Sequence, residues 1–335
     1  MKMSVMNARR HLLAPSRIRT AAALTAVTAV GLGALTACSS ADASGKPGKT
    51  GKYDVVASFY PMAYLAERIG GDHVHVTNLT QPGQEPHDLE ISAQQTARLQ
   101  DSDAALYLKG LQPSVDKAID QSGIRTKVDA ASLTTLEEHG SEVGGHAAAH
   151  DTHEGEDEGE SGGKDPHVWL DPVRYAQIAE GVGKAFEKGD PDHAADYRKN
   201  TAALVKQLDE LNTRFKDGLA HTKSKVFITT HAAFGYLAER YGLTEEAISG
   251  LDPESEPSAA RIKDLEKMAK ADGVTTVFYE TLVSDKTAKT VAQDAGLKTD
   301  VLDPLEGITD KSRGRDYLAV QEANLKALQQ ALGAK

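Results

Sequence analysis

From residue 53 onward, short apolar runs alternate with stretches whose apolar positions recur at helical spacing. Residues 53–59 read as a first strand. A helix is predicted over 62–69, with Pro61 at its first helical position and Gly70-Gly71 as its stop. Residues 73–79 alternate polar and apolar, the period of a strand. Ser92 reads as the N-cap of a helix to about residue 100. Residues 104–108 predict a strand, 113–121 a helix and 125–130 a short strand. Strands that alternate with helices in this way predict an α/β fold, with a mostly parallel sheet covered by helices.

The pattern breaks over residues 136–164. That tract carries His139, His146, His150 and His153, with nine acidic residues between Glu137 and Glu160. It has almost nothing apolar to bury, so 137–164 is expected to be a disordered loop. Residues 165–172 follow, with the sequence Asp-Pro-His-Val-Trp-Leu-Asp-Pro and the only tryptophan. Each proline fixes its own φ and keeps the preceding residue from the helical region, so His167 is held between two corners. Two helical stretches come next, over 173–188 and from Asp190-Pro191 to about 220. The second carries an apolar stripe of Leu204, Leu208, Leu211 and Phe215. A helix of ~30 residues would be ~45 Å long, enough to span two lobes.

The second half repeats the first. Strands are predicted over 225–230, 246–249, 274–279 and 298–302, and helices over 232–241, 258–271, 285–295 and 316–332. The pentapeptide Tyr-Leu-Ala-Glu-Arg stands at 64–68 and again at 236–240, each time on the helix after its half's first strand. The chain therefore divides into two similar (β/α) lobes, 53–171 and 223–335, with a helical segment over 172–222 between them.

Charge and the N-terminus narrow the setting. The chain has 335 residues and a formal net charge of −11, the wrong balance for a nucleic-acid partner. Arg9, Arg10, Arg17 and Arg19 precede a short run of small apolar residues over 21–36. That run is too short for a good membrane span and reads as the core of a signal peptide, 1–37. Residues 35–38 (Leu-Thr-Ala-Cys) resemble the lipobox of bacterial lipoproteins, which implies cleavage before Cys38 and lipidation of its sulfur. Cys38 is the only cysteine, so no intrachain disulfide can form. Residues 38–52 then read as a flexible linker between anchor and domain. The expected product is exported and lipid-anchored to the outer face of the cell membrane.

Candidate chemistry gathers at strand ends. His87 lies in the loop after the second predicted strand, and His167 after the fourth. His231 and Asp303 each directly follow a predicted strand of the second half. In open α/β sheets the ligand crevice lies outside the carboxyl ends of the strands. A set of three imidazoles and one carboxylate suits Zn²⁺, a borderline ion that accepts nitrogen and oxygen donors. Glu85, Glu280 and Asp171 also fall near strand ends, placed to supply a carboxylate or to orient a ligand imidazole. The fourth position is open between Asp303, Glu85 and a water. The remaining tract histidines, with His139, form a candidate accessory metal loop that gathers cations without fixed geometry. His73, His75, His193 and His221 read as surface residues. No Gly-x-Ser-x-Gly, phosphate-cradling glycine loop or His-Glu-x-x-His helix is present.

Four motifs, in order, resemble one family. They are residues 82–90 around His87, residues 165–172 around His167, residues 230–237 beginning Thr-His, and residues 302–305 (Leu-Asp-Pro-Leu). The chain resembles the solute-binding lipoproteins of metal-ion ABC importers, and within them the zinc-binding group. The likeness covers residues 53–335. It implies two lobes joined by one long helix, with the metal between them, bound by His87, His167, His231 and Asp303. Manganese-binding members carry a carboxylate at the third position, where this chain has His231. The family usually runs directly from Leu to Gly after the last motif, whereas here Glu306 intervenes between Leu305 and Gly307.

The resemblance implies a monomeric binding protein that captures Zn²⁺ and delivers it to a membrane permease driven by an ATPase subunit, and not an enzyme. A zinc-dependent hydrolase is the alternative from another class, because three histidines and a water often hold catalytic zinc. It would need a general base and a substrate pocket, neither of which the sequence names. A metal-binding surface adhesin of the same fold is the other alternative.

Overall fold

The computed structural model describes residues 51–140, 142–143 and 164–334. Cys38, the expected signal peptide 1–37, and His146, His150 and His153 lie outside the described residues.

The first lobe is built on β1 (Tyr53–Ala57), β2 (Val74–Asn78), β3 (Ala104–Tyr107) and β4 (Thr126–Asp129), with α1 (Tyr60–Gly70), α2 (Ala93–Asp101) and α3 (Pro113–Gln121) as crossovers. Its strand order is β2-β1-β3-β4, and every pairing is parallel. Ser92 caps α2 as expected, in a reciprocal capping box with Gln95. A short strand β5 (Glu142–Val143) precedes α4 (Pro172–Gly189) and α5 (Ala194–Leu219). The second lobe contains β6 (Val226–Thr229), α6 (Gly235–Tyr241), β7 (Thr244–Ala247), α7 (Ala259–Ala271), β8 (Thr276–Tyr279), α8 (Lys286–Ala295), β9 (Lys298–Val301) and α9 (Tyr317–Leu332). Its order is β5-β7-β6-β8-β9, parallel except for the β5 edge. Without β5, the strand order matches that of the first lobe. The repeated pentapeptide falls on α1 and α6, each following the first parallel strand of its lobe.

Alternation along each strand divides the apolar residues between two layers. In β1, Val55 and Ala57 face the large core, and Val56 faces a smaller cluster with Leu99 and Ile119. In the second lobe Phe227 and Phe278 enter the large core, and Ile228 and Val277 enter a separate cluster with Leu265 and Val291. Helix α5 turns Tyr197, Leu204, Leu208, Leu211, Phe215 and Leu219 into the large core, where residues of both lobes meet. It packs on α4 and also against α1 and α9, so a single helix braces both lobes. Both sheets belong to one compact unit. Among the described residues, no helix is long and apolar enough to cross a membrane.

Two elements differ from the sequence pattern. Within the tract over 137–164, Glu142 and Val143 pair antiparallel with Glu246 and Glu245 of β7. A strand of this length has no period that the sequence could display. β7 itself starts earlier than predicted and contains two acidic residues, a type depleted in strands. Both are buried, Glu245 at 0% exposure and Glu246 at 1%. Thr229 Oγ1 lies 2.7 Å from Glu245 Oε1, and Arg261 Nη2 donates to Glu246 Oε2 at 3.0 Å. Tertiary partners thus override the local preference.

Candidate metal centre

His87 sits in the loop after β2, on a turn closed by Leu89 N donating to Pro86 O. Its amide donates to Glu85 Oε1 at 2.9 Å. His167 precedes a 3-10 turn over Val168–Leu170 that leads into α4. His231 follows β6, and its carbonyl accepts from Thr229 Oγ1 at 2.9 Å. Glu306 follows β9. These residues, His87, His167, His231 and Glu306, form a group whose potential ligand atoms all lie within 4.8 Å of one another. The structure brings together His87, His167 and His231, the three histidines expected to share a crevice, with Glu306.

The distances within the group are regular. Nε2 of His87, of His167 and of His231 each lie 3.3 Å from the same oxygen, Glu306 Oε1. Zinc bonds of about 2.0–2.2 Å to nitrogen and oxygen set tetrahedral ligand atoms about 3.3–3.5 Å apart. The three distances match that edge length. His167 and His231 are buried, with Nε2 lacking any directed hydrogen bond, and Glu306 Oε2 has none either. Buried polar atoms are rarely left unpartnered, and here the orphans converge on one point. The donor set therefore fits a cation of zinc's size and preferences. His87 is the most exposed of the group, its side chain 12% accessible, so it marks the mouth.

Carboxylates aim the buried rings. Asp165 Oδ1 accepts from His167 at both Nδ1 (2.7 Å) and the backbone amide (2.9 Å). Glu280 Oε1 lies 2.8 Å from His231 Nδ1 and also accepts from Thr230 Oγ1. An imidazole whose Nδ1–H is held by a carboxylate presents the Nε2 lone pair to a metal. Of the carboxylates flagged in the sequence, Glu280 has this orienting role. Asp171 instead caps α4 through the Val173 amide and pairs with Arg240.

Asp303, expected as the fourth ligand, stands outside the group. Its Oδ1 accepts the Leu305 amide at 2.9 Å, and Oδ2 accepts from Thr281 Oγ1 at 3.3 Å. Its backbone is pinned on both sides by the Asn324 amide. Leu305 then adopts φ 60°, the one non-glycine with positive φ among the described residues. That conformation is disfavoured for L-residues, and here it directly precedes Glu306. Trp169 Nε1 donates to Pro304 O at 2.7 Å and packs edge-on against Phe59, tying the His167 corner to the same loop. The extra residue in the last motif was the available signal for Glu306.

His139 also differs from expectation. It is no free member of a cation-gathering loop: its Nδ1 lies 2.7 Å from Asp165 Oδ2, and its ring packs edge-on against Tyr236.

Protons occupy this cluster when a cation does not. Burial opposes a charged His167, but Asp165 and Glu306 prevail and hold its pKa up at about 9. Burial likewise opposes charge on His231, but Glu280 and Glu306 push it well above the ordinary value. Burial favours a neutral Glu306, yet His231 and the other two imidazoles hold it well below the usual carboxylate range. Glu85 behaves oppositely: burial and then the Glu306 charge push it up to about 8, so it is neutral at pH 7.

Residues 55–331 match the family described as the periplasmic component A of the zinc-uptake complex. The chain belongs to this family. It is 37% identical over 286 residues to the zinc-binding lipoprotein AdcA of Streptococcus pneumoniae, covering 84% of this chain and 56% of that protein. The chain thus spans little more than half the length of that relative. It is 34% identical over 290 residues to the high-affinity zinc uptake system protein ZnuA of Bacillus subtilis, covering 85% of this chain and 89% of the other. The Zn(II)-bound ZnuA-like domain of Streptococcus pneumoniae AdcA superposes with a TM-score of 0.69 at 35% identity, covering 84% of this chain and 99% of that one. The laminin-binding protein of Streptococcus agalactiae, described as having adhesin and metal-transporting activity, superposes at 0.72 with 30% identity, covering 84% and 99%. The expected fold, two lobes with mostly parallel sheets, is shared with these proteins.

Proposed function

We propose that this chain is the Zn²⁺-binding component of an ABC importer, capturing the ion outside the membrane and presenting it to a permease driven by an ATPase. One observation carries the reading. Three imidazole nitrogens from separate loops stand 3.3 Å from one buried carboxylate oxygen, at the spacing of a tetrahedral zinc shell. Relatives named for zinc binding and zinc uptake support the choice of ion. Zn²⁺ is cargo here. His87, His167, His231 and Glu306 hold it, and His87 at the mouth is where it enters and leaves. Export and lipidation at Cys38 keep a monomeric carrier at the outer face of the membrane, within reach of the permease.

A catalytic zinc needs an open coordination position for water. Glu306 fills that position, which favours carriage over hydrolysis. The test is titration of the purified chain with Zn²⁺ against a chelator of known affinity. One tight ion per chain, lost in His231→Ala, is expected. Absence of a tight site, or one untouched by His231→Ala, would overturn the reading.

A further inference from the structure

His139 stands at the opening of the acidic tract, yet its surroundings are those of a placed side chain. Asp165 is fully buried and divides its oxygens between two histidines. Oδ1 serves His167, at Nδ1 and at the amide, and Oδ2 takes His139 Nδ1 at 2.7 Å. The backbones are fastened in parallel. The Asp165 amide donates to Glu137 O at 2.9 Å, the Glu137 amide donates to Tyr236 Oη at 2.8 Å, and Tyr236 Oη donates to Asp165 O at 2.7 Å. The His139 ring lies edge-on to Tyr236 with centroids 4.6 Å apart, and its side chain is only 9% accessible.

Gly235 makes room for this arrangement. A Cβ there would fall 2.6 Å from both Cγ and Nδ1 of His139, a distance that real Cβ atoms do not show. Gly235 begins α6, and its φ is not in the left-handed region, so close approach is the reason for glycine.

We propose that His139 is a positioning residue of the metal site, acting on His167 through Asp165. This rests on the zinc-carrier reading given above. Without the His139 N–H, Asp165 Oδ2 becomes a buried, unpaired anionic oxygen, which costs the full desolvation of that group. The carboxylate is then free to rotate, and it loses its fixed hold on the His167 ring. A ligand imidazole with loosened orientation binds metal less tightly. Outer partners of metal ligands typically contribute 10–100-fold in affinity.

The test compares Zn²⁺ affinity, by chelator competition, with the melting temperature of the metal-free protein. His139→Phe keeps the ring against Tyr236 and removes the donor. His139→Asn keeps a donor near the position of Nδ1. Gly235→Ala displaces His139 without altering it. The expected result is a loss of about tenfold or more in His139→Phe and in Gly235→Ala, with the metal-free His139→Phe protein still folding cooperatively but melting lower because the Asp165 oxygen is unpaired, and with affinity and melting recovered in His139→Asn. In an Asp165→Asn background, His139→Phe should have no further effect. Unchanged affinity in His139→Phe would overturn the proposal. So would a loss that His139→Asn fails to restore, or one additive with Asp165→Asn. Failure of the unsubstituted chain to bind Zn²⁺ would instead overturn the carrier reading.

Discussion

Asp303 Oδ1 accepts the Leu305 amide at 2.9 Å, and the turn so formed carries Glu306, not Asp303, to the three histidines. The two carboxylates share a loop but not a role. One fixes the backbone, and the other faces the cation. Their substitutions should therefore separate. Glu306→Ala is expected to weaken Zn²⁺ binding by more than about 100-fold, beyond what an outer partner contributes. Asp303→Asn keeps an acceptor for Leu305 and should change affinity by less than about tenfold. Chelator competition measures both. A larger loss in Asp303→Asn than in Glu306→Ala would return Asp303 to the ligand set.

Glu280 is the corresponding outer partner in the second lobe. Its Oε1 lies 2.8 Å from His231 Nδ1. Glu280→Gln keeps a neutral acceptor and the Thr230 contact but removes the charge that makes the imidazole a stronger donor to metal. Affinity should fall about 10–100-fold while metal-free melting changes little. An unchanged affinity would show that Thr230 and the β6 turn alone orient His231.

How this site reads from sequence follows from its parts. His87 and His231 were legible because each lies in the loop after a parallel strand, and strand ends converge in such a sheet, whereas His167 stood out between its two Asp-Pro corners. Glu280 was visible for the same reason, directly after β8. Glu306 was not, because its placement depends on the positive φ of Leu305 and on the Asp303 turn, neither of which has a periodic signature. The β7 boundary failed because the burial of Glu245 and Glu246 depends on Thr229 and Arg261, which are distant in sequence. His139 was grouped with its tract by composition, because the Asp165 oxygen, the Tyr236 ring and the space at Gly235 that place it are all distant in sequence.

Metal binding must displace protons. His167 is held at about 9 in the absence of metal, with Asp165 and Glu306 overcoming burial. Its pKa is raised, so at pH 7 it carries a proton that has to leave before Nε2 can coordinate. Zn²⁺ affinity should climb as pH rises toward 9, and binding at pH 7 should release protons. Calorimetry in buffers of different ionisation heat measures the release. In the metal-free protein the same raised value gives stability that is present below about 6.5 and lost as pH rises through about 9. Heats of binding that do not depend on the buffer would contradict this account.

Glu245 should impose the same direction of pH dependence on stability, at lower pH. It is fully buried, Oε2 has no partner, and burial pushes it up to about 7 against the hydrogen bonds from Thr229 and the Phe234 amide. Stability linked to this group is present below its ordinary value and lost as pH rises through about 7. Glu245→Gln removes the ionisation and keeps an oxygen for Thr229. It should melt higher than the unsubstituted metal-free chain at pH 8, by the equivalent of about 1–3 kcal/mol. At pH 5 the two should melt together. A Gln variant that is less stable at pH 8 would mean that the buried charge is compensated.

The acidic tract can now be divided by residue. His87, His167, His231 and Glu306 all lie outside it, and the contacts that reach Asp165 from its described residues are those of His139 and Glu137. Replacing residues 144–163 with a glycine-serine segment of equal length removes His146, His150 and His153 but keeps His139 and β5. Affinity at the tight site should then stay within about threefold, with any additional weak Zn²⁺ binding lost. Extending the replacement to 137–163 also removes His139 and the Glu137 contacts. That larger change should lower affinity by about tenfold or more, as expected for loss of an outer partner. Affinity unchanged in both replacements would show that the tract acts on the site through none of its residues. A loss already complete in the shorter replacement would place an essential contact within 144–163.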